Sequence, residues 1–316
     1  MVQLHSLDEL APQNAWLTIG VFDGVHRGHQ KILRRLVSGA HAQGCAALLL
    51  TFDPHPAVIL GGKSDFKCLT TPGERLELIE GYGVDAVITL PFDRALAGQT
   101  AEEFMRHVAR ALQGPAGRDA GLRCLLLGYD SALGRGREGD ATRLAEIGRE
   151  LGYRVESVPP VKDESGIISS TRIRSAVAAG DVAGAAALLG RPYFVRGPVV
   201  HGDGRGRTIN IPTANVQVPP MKLIPANGIY ATWAWVDGEK HAAATSIGVR
   251  PTFEPAAALR TVEAYFLDFD RDLYGREVRL EFVERLRDEL KFPSVEALMA
   301  QIGADVARTR EILERR

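Results

Sequence analysis

The chain has 316 residues, of which 38 are basic and 39 acidic, giving a net charge of −1, and 45% are apolar. That length predicts about two domains, and the even charge balance leaves no electrostatic footprint for nucleic acid or an anionic membrane surface. Cys45, Cys68 and Cys124 form no closely spaced pair, which suits a reducing compartment. With no leader-like opening and no apolar run near the roughly 18 residues that span a bilayer, a cytoplasmic protein is expected.

The first informative segment is LTIGVFDGVHRGHQ, Leu17–Gln30. It reads as a short strand (Leu17, Ile19, Val21), a glycine-containing turn and a helix opening on His26 and His29. Gly20, Gly24 and Gly28 allow close approach of the backbone to a ligand. The two histidines, three apart at the helix start, point the same way. The unpaired N–H groups and positive dipole of a helix N-terminus suit phosphate. Together these features read as a nucleoside triphosphate site. Zinc would require three or four ligands, and no cysteine or carboxylate stands at metal spacing. A plain surface turn is the simpler alternative. The GxGxxG spacing of a dinucleotide loop is absent.

Apolar runs at Cys45–Phe52, Asp85–Leu90 and Leu122–Gly128 read as strands covered on both faces. Between them, His29 to Gln43 sets Ile32, Leu33, Leu36, Val37 and Ala40 on one helical stripe. Thr71, Pro72 and Glu74 spell a capped helix start, and Thr100 with Glu103 repeats the device. The alternation predicts an α/β fold with a parallel sheet. Ligands then bind beyond the carboxyl ends of the strands, where Asp23, Asp53 and Asp130 converge. Further on, IISSTRIR puts Ser169, Ser170 and Thr171 before an expected helix, with Arg172 and Arg174 following. Hydroxyls, helix N–H groups and guanidinium suit a triphosphate; an N-capped surface helix is the plainer reading. Paired with the HxGH turn, this segment fits adenylyl transfer, which needs alignment and charge stabilisation and no protein nucleophile.

The character changes near Gly190-Arg191-Pro192, predicting domains at 1–187 and 188–316. The second favours short strands, with a hairpin at Asp237-Gly238 and Val278, Leu280 and Phe282 on one buried face. A last helix is expected after Ser294, with Val295, Leu298, Ile302 and Val306 inward. This predicts a small antiparallel β-barrel closed by a terminal helix. Its loop GDGRGR, with Gly202, Gly204 and Gly206, offers amides for a phosphate nest. Thr213 and Asn215, two apart in an extended segment, are neutral oxygen ligands suited to Mg²⁺ balanced by nucleotide phosphates; an edge strand with a polar turn is the plainer reading. Glu263 is a candidate general base toward an attacking alcohol; a surface strand residue is the plainer reading.

In order, GVFDGVHRGHQ, TFDPHP, ISSTRIR, HGDGRGR, PTAN, NGIYA, IGVRPTF, LDFDRDLYG and LRDELKF resemble the blocks of the bacterial bifunctional riboflavin kinase/FAD synthetase family over nearly the whole chain. The resemblance implies an N-terminal nucleotidylyltransferase domain and a C-terminal kinase barrel. It also implies ATP, riboflavin and FMN as substrates, FMN and FAD as products, and Mg²⁺. By that resemblance His26, His29 and Arg172 serve the adenylylation chemistry. Gly20, Phe22, Asp23, Gly28, Asp130, Ser169, Ser170, Thr171, Gly202, Gly206 and Arg207 contact ATP or its phosphates. Asp53, Leu133, Arg287 and Phe292 border flavin, Thr213 and Asn215 hold the metal, and Glu263 is the kinase base. The chain departs from the family at GYDSALG, where Ser131 and Leu133 replace aromatics. This opens a second reading, a riboflavin kinase with a weakened adenylyltransferase half; a non-catalytic flavin-binding module is the third. At NIPTAN, Asn210 replaces a glycine. Monomer and weak self-association both remain open.

Overall fold

The computed structural model describes residues 1–61, 65–113, 120–202, 211–249 and 260–315, in two compact units, Met1–Ser169 and Ser170–Arg316. In the first unit the apolar runs form the centre of a parallel sheet. Its strands are β1 (Val2–Leu4), β2 (Asn14–Ile19), β3 (Ala46–Asp53), β4 (Ala86–Pro91), β5 (Gly121–Gly128) and β6 (Arg154–Val158). Their order is β1-β4-β3-β2-β5-β6, and every pairing is parallel. Leu17, Ile19, Leu48 and Leu50 face one core, while Trp16, Ala47 and Leu49 face another. Burial on both sides is why these strands read as unbroken apolar runs. Strand β2 has β3 on one side and β5 on the other, so the order reverses at β2. The expected ligand crevice lies beyond its carboxyl end.

Helix α1 (Arg27–His41) begins there. Leu33, Leu36 and Ala40 are buried as expected, whereas Ile32 and Val37 are only half-buried. Gly39 joins the packed face because a Cβ there would stand 2.2 Å from the Trp16 ring. Short helix α2 (Pro56–Gly61) follows β3, and α3 (Pro72–Glu80) carries the expected capping box. Thr71 Oγ1 accepts from Glu74 N, and the Glu74 carboxylate accepts from Thr71 N. After α4 (Arg94–Gly98), α5 (Ala101–Gln113) opens with the same reciprocal pair between Thr100 and Glu103. Helix α6 (Ala141–Leu151) leads into β6. A small hairpin, β7 (Lys162–Asp163) with β8 (Gly166–Ile167), ends the unit.

The second unit starts with α7 (Ser170–Ala179) and α8 (Val182–Leu189). Helix α8 packs against β9 (Tyr193–Val200) and β14 (Glu277–Arg287), so the compact division falls earlier than the change of character near Gly190. With β10 (Ala214–Val216), β11 (Gly228–Val236), β12 (Glu239–Val249) and β13 (Arg260–Phe266), these strands close a barrel in the order β10-β13-β12-β11-β14-β9. All its pairings are antiparallel. Asp237 (φ 51°) and Gly238 (φ 83°) make the expected hairpin turn. Inside, Tyr230 meets Phe282 edge-on at 5.3 Å, and the buried Thr232 and Thr245 hydroxyls pair at 2.7 Å. Val278, Leu280 and Phe282 are fully buried.

The terminal helix, α9 (Val295–Glu314), is capped by Ser294 as expected. Its expected inner stripe needs correction. Val295 is exposed, and the buried positions are Asp305, Thr309, Ile312 and Leu313. Val306 is only half-buried. Ile312 and Leu313 pack with Ala231 and Val283, whereas Leu298 and Ile302 face a cavity. Contrary to the expected closing role, the helix packs on the outer face of the barrel wall, and only through its second half. Its first half is left to line that opening.

Candidate active sites

The turn after β2 is strained where the sequence places its first site. Phe22 (φ 55°), Gly24 (φ 80°) and Val25 (φ 41°) all have positive φ. For a bulky or β-branched residue that costs of order 1–3 kcal/mol, which surrounding contacts must hold in place. They do so densely. Asp23 is buried, and its carboxylate accepts from Leu69 N at 2.9 Å, Thr70 N at 3.0 Å and Thr70 Oγ1 at 3.2 Å. Gly24 N donates to Thr70 Oγ1, and Gln30 Nε2 donates to Val25 O. Asp23, expected to contact ATP, therefore spends its carboxylate on the segment leading into α3.

His26 is the N-cap of α1. Its Nδ1 accepts from Gly28 N at 3.1 Å and His29 N at 3.4 Å. This corrects the expectation that the helix amides stand ready for phosphate, since His26 itself takes two of them. Because Nδ1 accepts, the neutral ring carries its proton on Nε2, which makes it a donor. The two histidine rings stack at 3.7 Å, and Phe22 packs on His29 at 4.9 Å. Gly28 lies under the His26 ring and Gly20 under the Phe22 ring; a Cβ at these positions would stand 3.0 and 3.1 Å from the respective rings. The turn thus brings Gly20, Phe22, Gly28, His26 and His29 together.

Beyond β3 and β4 lies an apolar cavity of ≈ 220 Å³, lined by Phe52, Phe92, Phe104 and Leu133 among others. Phe52 and Phe92 meet edge-on at 5.3 Å. Leu133, expected at flavin, is therefore in an aromatic-walled cavity, although Ser131 and Leu133 are not aromatic themselves. Ser131 instead closes its own turn, with Oγ accepting from Gly128 N at 2.9 Å. Asp53 ends β3 beside Phe52 and is not among the cavity's lining residues. Asp130 is exposed after β5, where its backbone carbonyl accepts from Arg137 Nη2 at 2.7 Å. Ser169 ends the first unit, while Ser170, Thr171 and Arg172 form the first turn of α7 in the second.

The barrel carries the other site on its outer surface. Ala214 and Val216 are buried, so the alternate residues Thr213 and Asn215 face outward. Asn215 lies opposite Glu263 in the β10–β13 register, and Thr213 Oγ1 donates to Glu263 Oε2 at 3.4 Å. Gly202 presses on the Asn215 amide, where a Cβ would stand 2.3 Å from Nδ2. A cavity of ≈ 320 Å³ runs from Thr213 and Glu263 to Arg287, Phe292 and the first half of α9. Four of the candidate site residues, Thr213, Glu263, Arg287 and Phe292, thus line one opening. Gly204, Gly206, Arg207 and Asn210 lie outside the described residues.

Several residues of these sites carry no signal in the sequence. Asp305 of α9 grips Arg287 with Nε–Oδ1 at 2.9 Å and Nη2–Oδ2 at 2.6 Å, and Gln301 Nε2 also donates to Asp305. In the first unit Arg75 is buried, and burial lowers its pKa against the opposing pull of Asp23 and Asp53. A charged residue in a short helix gives no local pattern that would reveal such a place.

Residues 8–172 match the FAD synthetase family, and residues 189–313 match the riboflavin kinase family. A bifunctional riboflavin kinase/FMN adenylyltransferase from Listeria monocytogenes is 38% identical over 98% of this chain and 96% of that protein. The chain belongs to the bifunctional riboflavin kinase/FMN adenylyltransferase family. The enzymes of the same name from Escherichia coli K12 and Bacillus subtilis are 35% and 33% identical, over 98% and 95% of this chain and 96% and 93% of their own lengths. A solved structure described as a macrolide-efflux protein from Streptococcus pneumoniae is 33% identical, with a TM-score of 0.88 over 98% of both chains. Among the described residues no helix is long and apolar enough to cross a membrane. The FAD synthetase match spans the HxGH turn, and the riboflavin kinase match spans the Thr213–Glu263 cavity.

Proposed function

We propose that this chain is a bifunctional enzyme that phosphorylates riboflavin to FMN with ATP and then adenylylates FMN with a second ATP to give FAD and pyrophosphate. The observation that carries the reading is the presence, in one chain, of a strained histidine-capped turn at a sheet switch point and a separate carboxylate-lined cavity on a barrel. Family matches to each half support it. We assign adenylylation to 1–187 and phosphorylation to 188–316.

In the kinase half, Glu263 takes the proton of the attacking riboflavin hydroxyl as its oxygen bonds to the γ-phosphorus and ADP departs. Thr213 holds the Glu263 carboxylate in place. Arg287 and Phe292 border the flavin, and Asp305 keeps Arg287 against the cavity wall. The residues fit magnesium. Thr213 and Asn215 offer neutral oxygens beside one carboxylate, and among the described residues no cluster of three or more His, Cys, Asp and Glu competes for a metal. Bound there with ATP, Mg²⁺ supplies charge stabilisation to the transferring phosphoryl group.

In the adenylyltransferase half, a phosphate oxygen of FMN attacks the α-phosphorus and pyrophosphate leaves, so the protein's tasks are alignment and charge stabilisation. His26 and His29 donate to the phosphates, with Ser169 as a further ligand. The apolar cavity at Leu133 takes the isoalloxazine ring. Phe52, Phe92 and Phe104 supply aromatic walls there, which argues against the weakened-half reading. The partners are small molecules, and a cytoplasmic site of action suits the composition. Incubation with riboflavin and Mg–ATP should yield FMN and then FAD by chromatography. FMN without FAD, including when FMN is supplied directly, would refute the bifunctional reading.

A further inference from the structure

We infer that Arg75 is a positioning residue for adenylyl transfer, holding the triphosphate turn and the flavin cavity in mutual register through one guanidinium. The inference rests on the reading that the first unit adenylylates FMN. Arg75 follows the capping box of α3 and is 4% exposed. Its Nη1 donates to Val21 O at 3.0 Å, and its Nη2 donates to Phe52 O at 3.2 Å. These carbonyls lie just past the end of β2 and near the end of β3, so the fork spans two neighbouring strands at the edge where ligands bind.

Each carbonyl leads into a different part of the site. Val21 immediately precedes Phe22, whose positive φ aims its ring at His29. Thr51 Oγ1 also donates to Val21 O, at 3.2 Å. On the other side of Phe22, the Asp23 carboxylate is held by Leu69 and Thr70, just before α3. The strained residue is thus clamped from both flanks by one segment, residues 69–75. Phe52, in turn, is the ring that lines the apolar cavity and meets Phe92. A planar guanidinium can bridge two fixed carbonyls, whereas an ammonium is a single point of charge. Attack of one phosphate on another requires alignment, and an error of about 1 Å can cost on the order of a hundredfold in rate.

The test uses the full-length protein carrying Arg75→Lys, which keeps the charge and loses the fork. We expect adenylylation kcat/KM to fall about tenfold or more, with KM raised for both ATP and FMN, because both walls move. Riboflavin phosphorylation should stay within about twofold of the parent, since the kinase residues lie in the other unit. Amide hydrogen exchange should rise in residues 20–29 and 52–55, a local signature that general destabilisation does not give. Thr51→Val removes only the second donor to Val21, so it should raise KM for ATP about threefold and leave KM for FMN unchanged. Arg75→Lys adenylylating within about twofold of the parent would overturn the inference. If that variant does not fold, Arg75→Gln, which leaves one amide donor in place of the fork, decides, and adenylylation within about twofold of the parent overturns the inference. A parent protein that makes no FAD from FMN would instead refute the functional reading beneath it.

Discussion

Replacing Gly202 by alanine should disable the kinase by displacing Asn215. A Cβ at position 202 would lie 2.3 Å from Asn215 Nδ2, 2.7 Å from its Cγ and 2.8 Å from its Oδ1. Nothing accommodates contacts that short, so either the backbone or the amide must move. Shifting packed backbone costs roughly 1–3 kcal/mol, whereas turning a half-buried amide costs less. The amide therefore swings away from Thr213 and Glu263, carrying with it one of the two neutral oxygens assigned to the metal. Loss of about 1.4 kcal/mol of transition-state stabilisation corresponds to a tenfold fall in kinase kcat/KM. Steady-state phosphorylation of riboflavin with varied ATP measures it, and adenylylation of supplied FMN serves as the internal control. A double-mutant cycle sharpens the test. In an Asn215→Ala background no amide remains to be struck, so adding Gly202→Ala should cost little, leaving a coupling of about 1 kcal/mol. Phosphorylation within twofold of the parent, or fully additive losses in the double variant, would refute the steric argument.

Asp305→Ala removes the carboxylate that accepts from Nε and Nη2 of the half-buried Arg287. Losing these charge-assisted bonds should lower the second unit's stability by about 1–3 kcal/mol, read from the denaturant midpoint, and raise KM for riboflavin. Leu133→Phe adds an aromatic to the cavity already walled by Phe52 and Phe92. It should tighten FMN by about 0.5–1.5 kcal/mol, seen as a lower KM in adenylylation; unchanged FMN affinity would exclude that cavity as the flavin site. Burial pushes the Tyr153 phenol up to about 12. Its folded pKa lies above the unfolded value, so its stabilising contribution is whole below pH ~10 and fades as pH rises toward ~12. Tyr153→Phe should therefore flatten the alkaline loss of stability in that window, as followed by denaturant titration.

The central strands, helix caps and barrel hairpin are legible in the sequence because each rests on local chemistry. Leu48–Leu50 can only be a strand buried on both faces, Thr71 and Glu74 cap each other across three residues, and Asp237-Gly238 tolerates positive φ. Edge strands β1 and β6 are not legible. They are short, and Arg154 to Val158 carries polar residues that one solvated face permits. The stripe of α9 departs from expectation because periodicity locates an apolar face without saying what covers it. Leu298 and Ile302 face an opening, while Asp305, polar and inconspicuous in sequence, is buried by its bond to Arg287. At the first site the histidine pair is evident from spacing. The capping of two helix amides by His26 is a local contact, two and three residues on, that reading both histidines as phosphate donors passes over. That Asp23 holds the 69–70 segment depends instead on tertiary contacts that no local pattern encodes. Arg75 is invisible for the same reason: its two acceptors are backbone carbonyls from distant strands.

The decisive measurement is a complementation assay with Glu263→Ala and His29→Ala, each given riboflavin and Mg–ATP alone and then mixed. Glu263→Ala alone should make no FMN yet adenylylate supplied FMN, and His29→Ala alone should stop at FMN. Mixed, the two variants should restore FAD, because each supplies the centre that the other lacks. If either variant loses both reactions while remaining folded, or if the mixture makes no FAD, two separate catalytic centres on this chain are contradicted.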